Sequence, residues 1–101
     1  MDDNVYVAHI PRDLADLVPV FLKNRHQEIS DMRAMLRARA FDDIAALAQR
    51  MIGVGTPYGF AHVTSTARVL LETARRQDVR ALAELLNELE RYLKVVKMKV
   101  V

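Results

Sequence analysis

The sequence predicts an all-α domain: an antiparallel, up-and-down four-helix bundle entered by a short extended N-terminal arm. Three observations lead there. Apolar residues return at three- and four-residue intervals along four separate segments, which marks one buried stripe per helix. Only three glycines and three prolines interrupt the 101 residues, and all three glycines fall together at Gly53, Gly55 and Gly59. Strand-like alternation is absent outside the amino terminus. Four amphipathic segments joined by short links bury their stripes most simply as a bundle. The length supports one core, and 51% hydrophobic with 28% charged residues is the balance of a globular chain rather than a disordered one. We divide the chain into an arm, 1–11, and a bundle, 12–98, with no repeat and no linker.

The apolar, β-branched stretch Val5 to Ile10 reads as an extended lead-in with no obvious partner strand, ended by Pro11. From Asp13 the residues Leu14, Leu17, Val18, Phe21, Leu22, Ile29, Met32 and Leu36 keep helical spacing, so a long first helix is expected. Pro19 must either kink it or occupy the first turn of a separate helix. Phe41-Asp42-Asp43 offers an aspartate cap and negative charge at the start of a second helix, with Ile44, Leu47, Ala48 and Met51 inward. It runs to the glycines, and a turn from Gly53 to Gly59 follows. Val63, Ala67, Leu70, Leu71 and Ala74 form the third stripe, with His62 or Thr64 near its cap. Asp78 caps a fourth helix whose Val79, Leu82, Leu85, Leu86, Leu89, Tyr92, Leu93 and Val96 make the cleanest stripe. Lys94, Lys97 and Lys99 suit its carboxyl end. Met32, Met35, Met51 and Met98 read as gap-filling core or terminal residues rather than a cofactor box. The residues expected to be buried include Phe21, Leu47, Met51, Leu70, Leu86 and Leu89.

Composition narrows the functions. The absence of cysteine excludes disulfides, thiolate metal sites and a cysteine nucleophile, and fits the cytoplasm. No apolar run is long enough for a membrane span, and the acidic start Met1-Asp2-Asp3-Asn4 has the wrong sign for a signal peptide. A net charge of +2 without blocks of like charge, six aromatic residues and no tryptophan argue against nucleic acid as a partner. His9, His26 and His62 have no second ligand or carboxylate at metal spacing, and read as surface or capping groups. No Ser/His/Asp pattern and no paired acids in an apolar setting are visible. The glycine cluster lacks the lysine and the preceding strand of a phosphate loop. The expectation is a chain that is not an enzyme and holds no metal and no cofactor.

The outer face of the second helix is the informative surface. At about 100° per residue, Ile44, Leu47, Ala48, Met51 and Gly55 share one side, and Ala45, Gln49, Ile52, Gly53 and Thr56 share the other. Gln49 should point outward among small and apolar neighbours. A helical glycine costs about 1 kcal/mol relative to alanine, so something must favour Gly53. Either a partner's backbone approaches there, or Gly53 starts the turn and Ile52 tucks beneath a neighbouring helix.

Several segments, in order, resemble a histidine-phosphotransfer (HPt) domain, the four-helix intermediate of bacterial phosphorelays. Leu17-Val18-Pro19-Val20-Phe21-Leu22-Lys23-Asn24-Arg25 is similar to a first-helix entry of the form L-I-P-x-F-L-x-N-R. Ala48 to Phe60 resembles the signature G/A-H-x-M/L-K-G-x-G-x-x-Y/F-G-F. Ala67 to Glu72 is loosely similar to the A/G-x-x-L-E region, and Leu85 to Leu93 to the closing L-L-x-x-L-E-x-Y-L helix. The departures fall on the chemistry: Gln49 stands at the family's phospho-accepting histidine and Ile52 at its lysine. A carboxamide nitrogen is conjugated and cannot replace an imidazole nucleophile.

The resemblance therefore implies a pseudo-phosphotransfer domain with no catalytic residue. It would bind a response-regulator receiver domain or a histidine kinase, without carrying phosphate, through Ala45, Gln49, Arg50, Ile52, Gly53 and Thr56. The turn glycines and the aromatic pair Tyr58 and Phe60 would keep the docking geometry, and Ile52 would make the face more apolar. Two other readings stand beside it: a dimerisation or assembly domain that pairs as a homodimer through Ala45, Ile52 and Gly53, and a phosphotransfer protein using His62 or His26.

Overall fold

The computed structural model describes residues 6–101. Four α-helices carry most of it, and their residues are those with the helical apolar spacing: α1, Val18–Arg37; α2, Phe41–Gly55; α3, Ala61–Arg75; and α4, Val79–Val95. Helices adjacent in the chain pack on one another, and α4 also packs on α1. A single contiguous core results. Phe21, Leu47, Met51, Leu70, Leu86 and Leu89 all lie in it, with Met32, Ile44, Phe60 and Val63 completely buried.

The local chemistry explains the boundaries. Residues Arg12–Leu17 form a 3-10 helix, and Pro19 sits in the first turn of α1, where its missing N–H costs nothing. The long first helix is thus two helices, with Pro19 at the start of the second. The aspartates Asp42 and Asp43 lie in the first turn of α2, where they complement its dipole, but neither caps it; Ala40 holds that position. Phe60, rather than His62 or Thr64, precedes the first turn of α3. Asp78 does cap α4, accepting from the Ala81 N–H at 3.0 Å.

The N-terminal arm has a partner after all. Val7–Ile10 (β1) pairs in parallel with Lys97–Val100 (β2), in the register Val7↔Lys97, Ala8↔Met98, His9↔Lys99 and Ile10↔Val100. This corrects two expectations. The arm is a strand docked on the core through buried Ala8 and Ile10, and Lys97 to Lys99 belong to that strand's partner rather than to the end of α4. The division at 11/12 and 98 accordingly cuts a two-stranded sheet. The acidic start Met1-Asp2-Asp3-Asn4 and Val5 lie outside the described residues.

Candidate functional site

The glycine-rich segment is more helical than its composition suggests. Helix α2 continues through Gly53 to Gly55, and only then does a short 3-10 turn, Thr56–Tyr58, lead to Gly59. Gly53 therefore does not start the turn. The three glycines differ in what surrounds them. A Cβ on Gly59 would collide with the His9 carbonyl oxygen, and its φ of 92° is left-handed. A Cβ on Gly55 would lie 2.6 Å from Thr64 Oγ1 and 2.7 Å from the Phe60 carbonyl oxygen. Around Gly53 nothing lies within 4 Å of that position. Two glycines are required by the fold, and Gly53 is not.

Thr64 makes the close approach at Gly55 cohesive. Its Oγ1 accepts from the Thr56 N–H at 3.0 Å, meets the Thr56 hydroxyl at 3.0 Å and donates to the Ile52 carbonyl at 3.3 Å. One buried hydroxyl thus satisfies main-chain groups at the end of α2, where helical partners run out. The sequence reading gave Thr64 only a capping role on its own helix.

On this scaffold Gln49, Arg50, Gly53 and Thr56 are exposed, whereas Ala45 and Ile52 are half-buried and pack against the core. Ile52 is therefore partly tucked in, and contributes less apolar surface than expected. The aromatic pair also departs from its expected place. Phe60 is fully buried and Tyr58 half-buried, and both stack on Phe21, at ring-centroid distances of 4.8 and 4.7 Å. They brace α1 against the turn rather than form an open docking surface.

Apolar surface does occur next to this site, at positions the helix-by-helix reading missed. Leu17, Val20, Phe21, Asn24, Arg25, Val54 and Tyr58 line a shallow groove of about 260 Å³. Leu17 and Val20 are 47% and 57% exposed. Arg25 is buried beneath it, its guanidinium 4.7 Å from the Phe21 ring centre and paired with Glu28 through Nε–Oε1 at 2.6 Å and Nη2–Oε2 at 3.0 Å. That bidentate pairing accounts for a charged residue in the α1 stripe. The apolar stripe placed Leu17 inward, but it ends the 3-10 helix and is exposed; Val20, beside Pro19 and outside that stripe, is the one that could have been flagged from sequence.

The histidines are dispersed. His9 is exposed on β1, His26 is half-buried on α1, and His62 packs between Tyr6 and Tyr92, with ring centroids 4.7 and 4.4 Å away. Burial lowers the pKa of His62 below its ordinary value, partly offset by the Glu88 carboxylate. The Tyr92 hydroxyl is pushed up to about 12, by burial first and then by Tyr6. His62 is thus a packed ring rather than a capping group. Among the described residues no three His, Asp or Glu side chains gather where a metal could bind. No described helix is long and apolar enough to cross a membrane. Neither a family model, a curated protein nor a solved structure matches the chain.

Proposed function

We propose that the chain is a helical interaction module whose working surface is the exposed side of α2. More particularly, it is a pseudo-histidine-phosphotransfer domain: it binds a response-regulator receiver domain, or a histidine kinase, and carries no phosphate. The observation that carries this reading is Gly53. It lies in the last turn of α2, where glycine still costs up to about 1 kcal/mol, one turn after exposed Gln49, with open space where its side chain would be. A residue that the fold does not need, and that removes the only bulk at that point, suits the close approach of another backbone.

The neighbouring chemistry supports docking without transfer. Gln49 offers an amide that donates and accepts but does not attack phosphorus. Ile52 supplies no cation beside it, and Arg50 is displaced about 100° around the helix. The groove edged by Leu17, Val20 and Val54 brings apolar area up to Val54, the residue that follows Gly53. In this reading the frame is an antiparallel, up-and-down bundle, and the setting is the cytoplasm.

The test is a titration of the purified chain against the receiver domains and histidine-kinase dimerisation domains of its source cell, by calorimetry. Saturable binding to at least one is expected. Gly53→Arg should abolish it while leaving the helical circular dichroism unchanged, because that side chain enters open space. A phosphorylated receiver should transfer no label to the wild-type chain. Failure of every receiver and kinase to bind overturns the reading, as does binding that Gly53→Arg leaves intact.

A further inference from the structure

We infer that the outer edge of β2, which no other described strand pairs, is a second docking surface, which takes an extended peptide segment alternating acidic and apolar residues. The two edges of the small sheet are unlike. The outer side of β1 is closed by the turn, since the Gly59 main chain lies directly against His9 and Ile10. On β2, all four residues are exposed.

The hydrogen bonds fix which groups face outward. The Lys97 N–H donates to the Tyr6 carbonyl at 3.1 Å, and the Val101 N–H to the Ile10 carbonyl at 3.0 Å. Successive peptide groups of a strand point to opposite sides, so the N–H and C=O of Met98 and Val100 face away from β1. They form the template for one more strand.

Side chains on the two faces define what that strand would carry. Residues paired in register share a face, so Met98 and Val100 lie alongside Ala8 and Ile10, on the core side. There they overhang an apolar groove of about 220 Å³, completed by Ile10, Ala15, Val18 and Pro19. Met98 and Val100 are left 47% and 46% exposed. Lys97 and Lys99 lie on the opposite face with Val7 and His9, and neither strand contains an acid. An incoming strand therefore meets a cationic face and an apolar face in alternation. Acidic residues at every second position match the lysines, and apolar residues between them enter the groove. A second copy of β2 fits poorly, because it would set its own lysines beside Lys97 and Lys99 on the same face.

The probe is an acetylated and amidated hexapeptide alternating glutamate and valine, with a lysine–valine hexapeptide as its counterpart, titrated into the full chain by amide NMR. Saturable binding of the glutamate peptide is expected, with shifts at the Met98 and Val100 amides and weakening with added salt. It should bind about tenfold more tightly than the lysine peptide, as two exposed ion pairs provide. Val100→Pro removes an outward N–H that β1 does not use, and should abolish binding with the melting temperature unchanged. The double variant Lys97→Glu, Lys99→Glu should reverse the preference between peptides, which keeps the test decisive if the proline disturbs the strand. No saturable binding, equal affinity for both peptides, or a dimer of the chain that Val100→Pro dissociates would each overturn the inference.

Discussion

Gly53, Gly55 and Gly59 show how three identical residues within a seven-residue segment serve different ends. Replacing Gly53 by alanine adds a side chain to open space and removes a helix-weakening residue, so it should raise stability by about 0.5–1 kcal/mol. Gly55→Ala meets Thr64 and the Phe60 carbonyl, and Gly59→Ala meets β1 at a left-handed φ; each should lose about 1–3 kcal/mol. Urea denaturation of the three variants measures all of these. The same contrast governs chemistry at Gln49. If only the reactive groups are lost, Gln49→His with Ile52→Lys should accept label from a phosphorylated receiver, and Gln49→His alone should accept less. Half-burial of Ile52 does not prevent this, because a lysine can run its methylenes along the core and place its ammonium in water. A double variant inert with every receiver that binds the chain would show that the docked geometry differs from the one proposed.

At the scale of elements, the clearest contacts are aromatic and ionic. Tyr6 on the approach to β1, His62 on α3 and Tyr92 on α4 form one ring cluster, so the sheet is tied to the helices through an imidazole whose protonation burial disfavours. A folded-state pKa below the ordinary 6.5 means that the unfolded chain protonates first as pH falls. Stability should therefore decline with acidification from about pH 6.5 down to the folded pKa, and this decline should vanish in His62→Leu. Glu90 adds a second, lower decline. Its hydrogen bond from Arg33, which also reaches Asn87, lowers its pKa from 4.5 and ties α1 to α4, so that contribution is lost as pH drops below that value. Melting temperatures between pH 8 and pH 3 separate the two, with the His62→Leu chain retaining only the lower step.

These elements were unequally legible. Helix α4 was clear, because Leu82, Leu86, Leu89 and Leu93 all go inward and Asp78 supplies a local start signal that needs no tertiary information. The start of α2 was misread in detail, since aspartates serve a helix equally as caps or as first-turn charges. The sheet was invisible for a different reason. Lys-Met-Lys-Val following a helical stripe is equally the lysine-rich end of a helix, and its partner lies at the far end of the chain. At the candidate site, exposure of Gln49 followed from helical phase alone. The half-burial of Ile52 and the apolar rim at Leu17 and Val20 depended on how α1 and the turn meet α2, and no single-helix projection contains that.

Seen as a whole, the molecule is a layer of helices, about 40 × 31 × 18 Å, whose first and last described segments are hydrogen-bonded side by side. That parallel pair has a kinetic consequence. Every contact between β1 and β2 spans about ninety residues of chain, whereas neighbouring helices meet through links of a few. Closing so long a loop is entropically costly until the helices have collapsed and brought its ends together. Ile10→Ala should accordingly speed unfolding and leave refolding nearly unchanged in stopped-flow denaturant jumps, while Leu70→Ala in the helical core slows refolding. A chain growing from its amino end on the ribosome therefore carries β1 without its partner strand while the next ninety or so residues are made. Its pairing edge is satisfied only when Lys97–Val100 has left the exit tunnel.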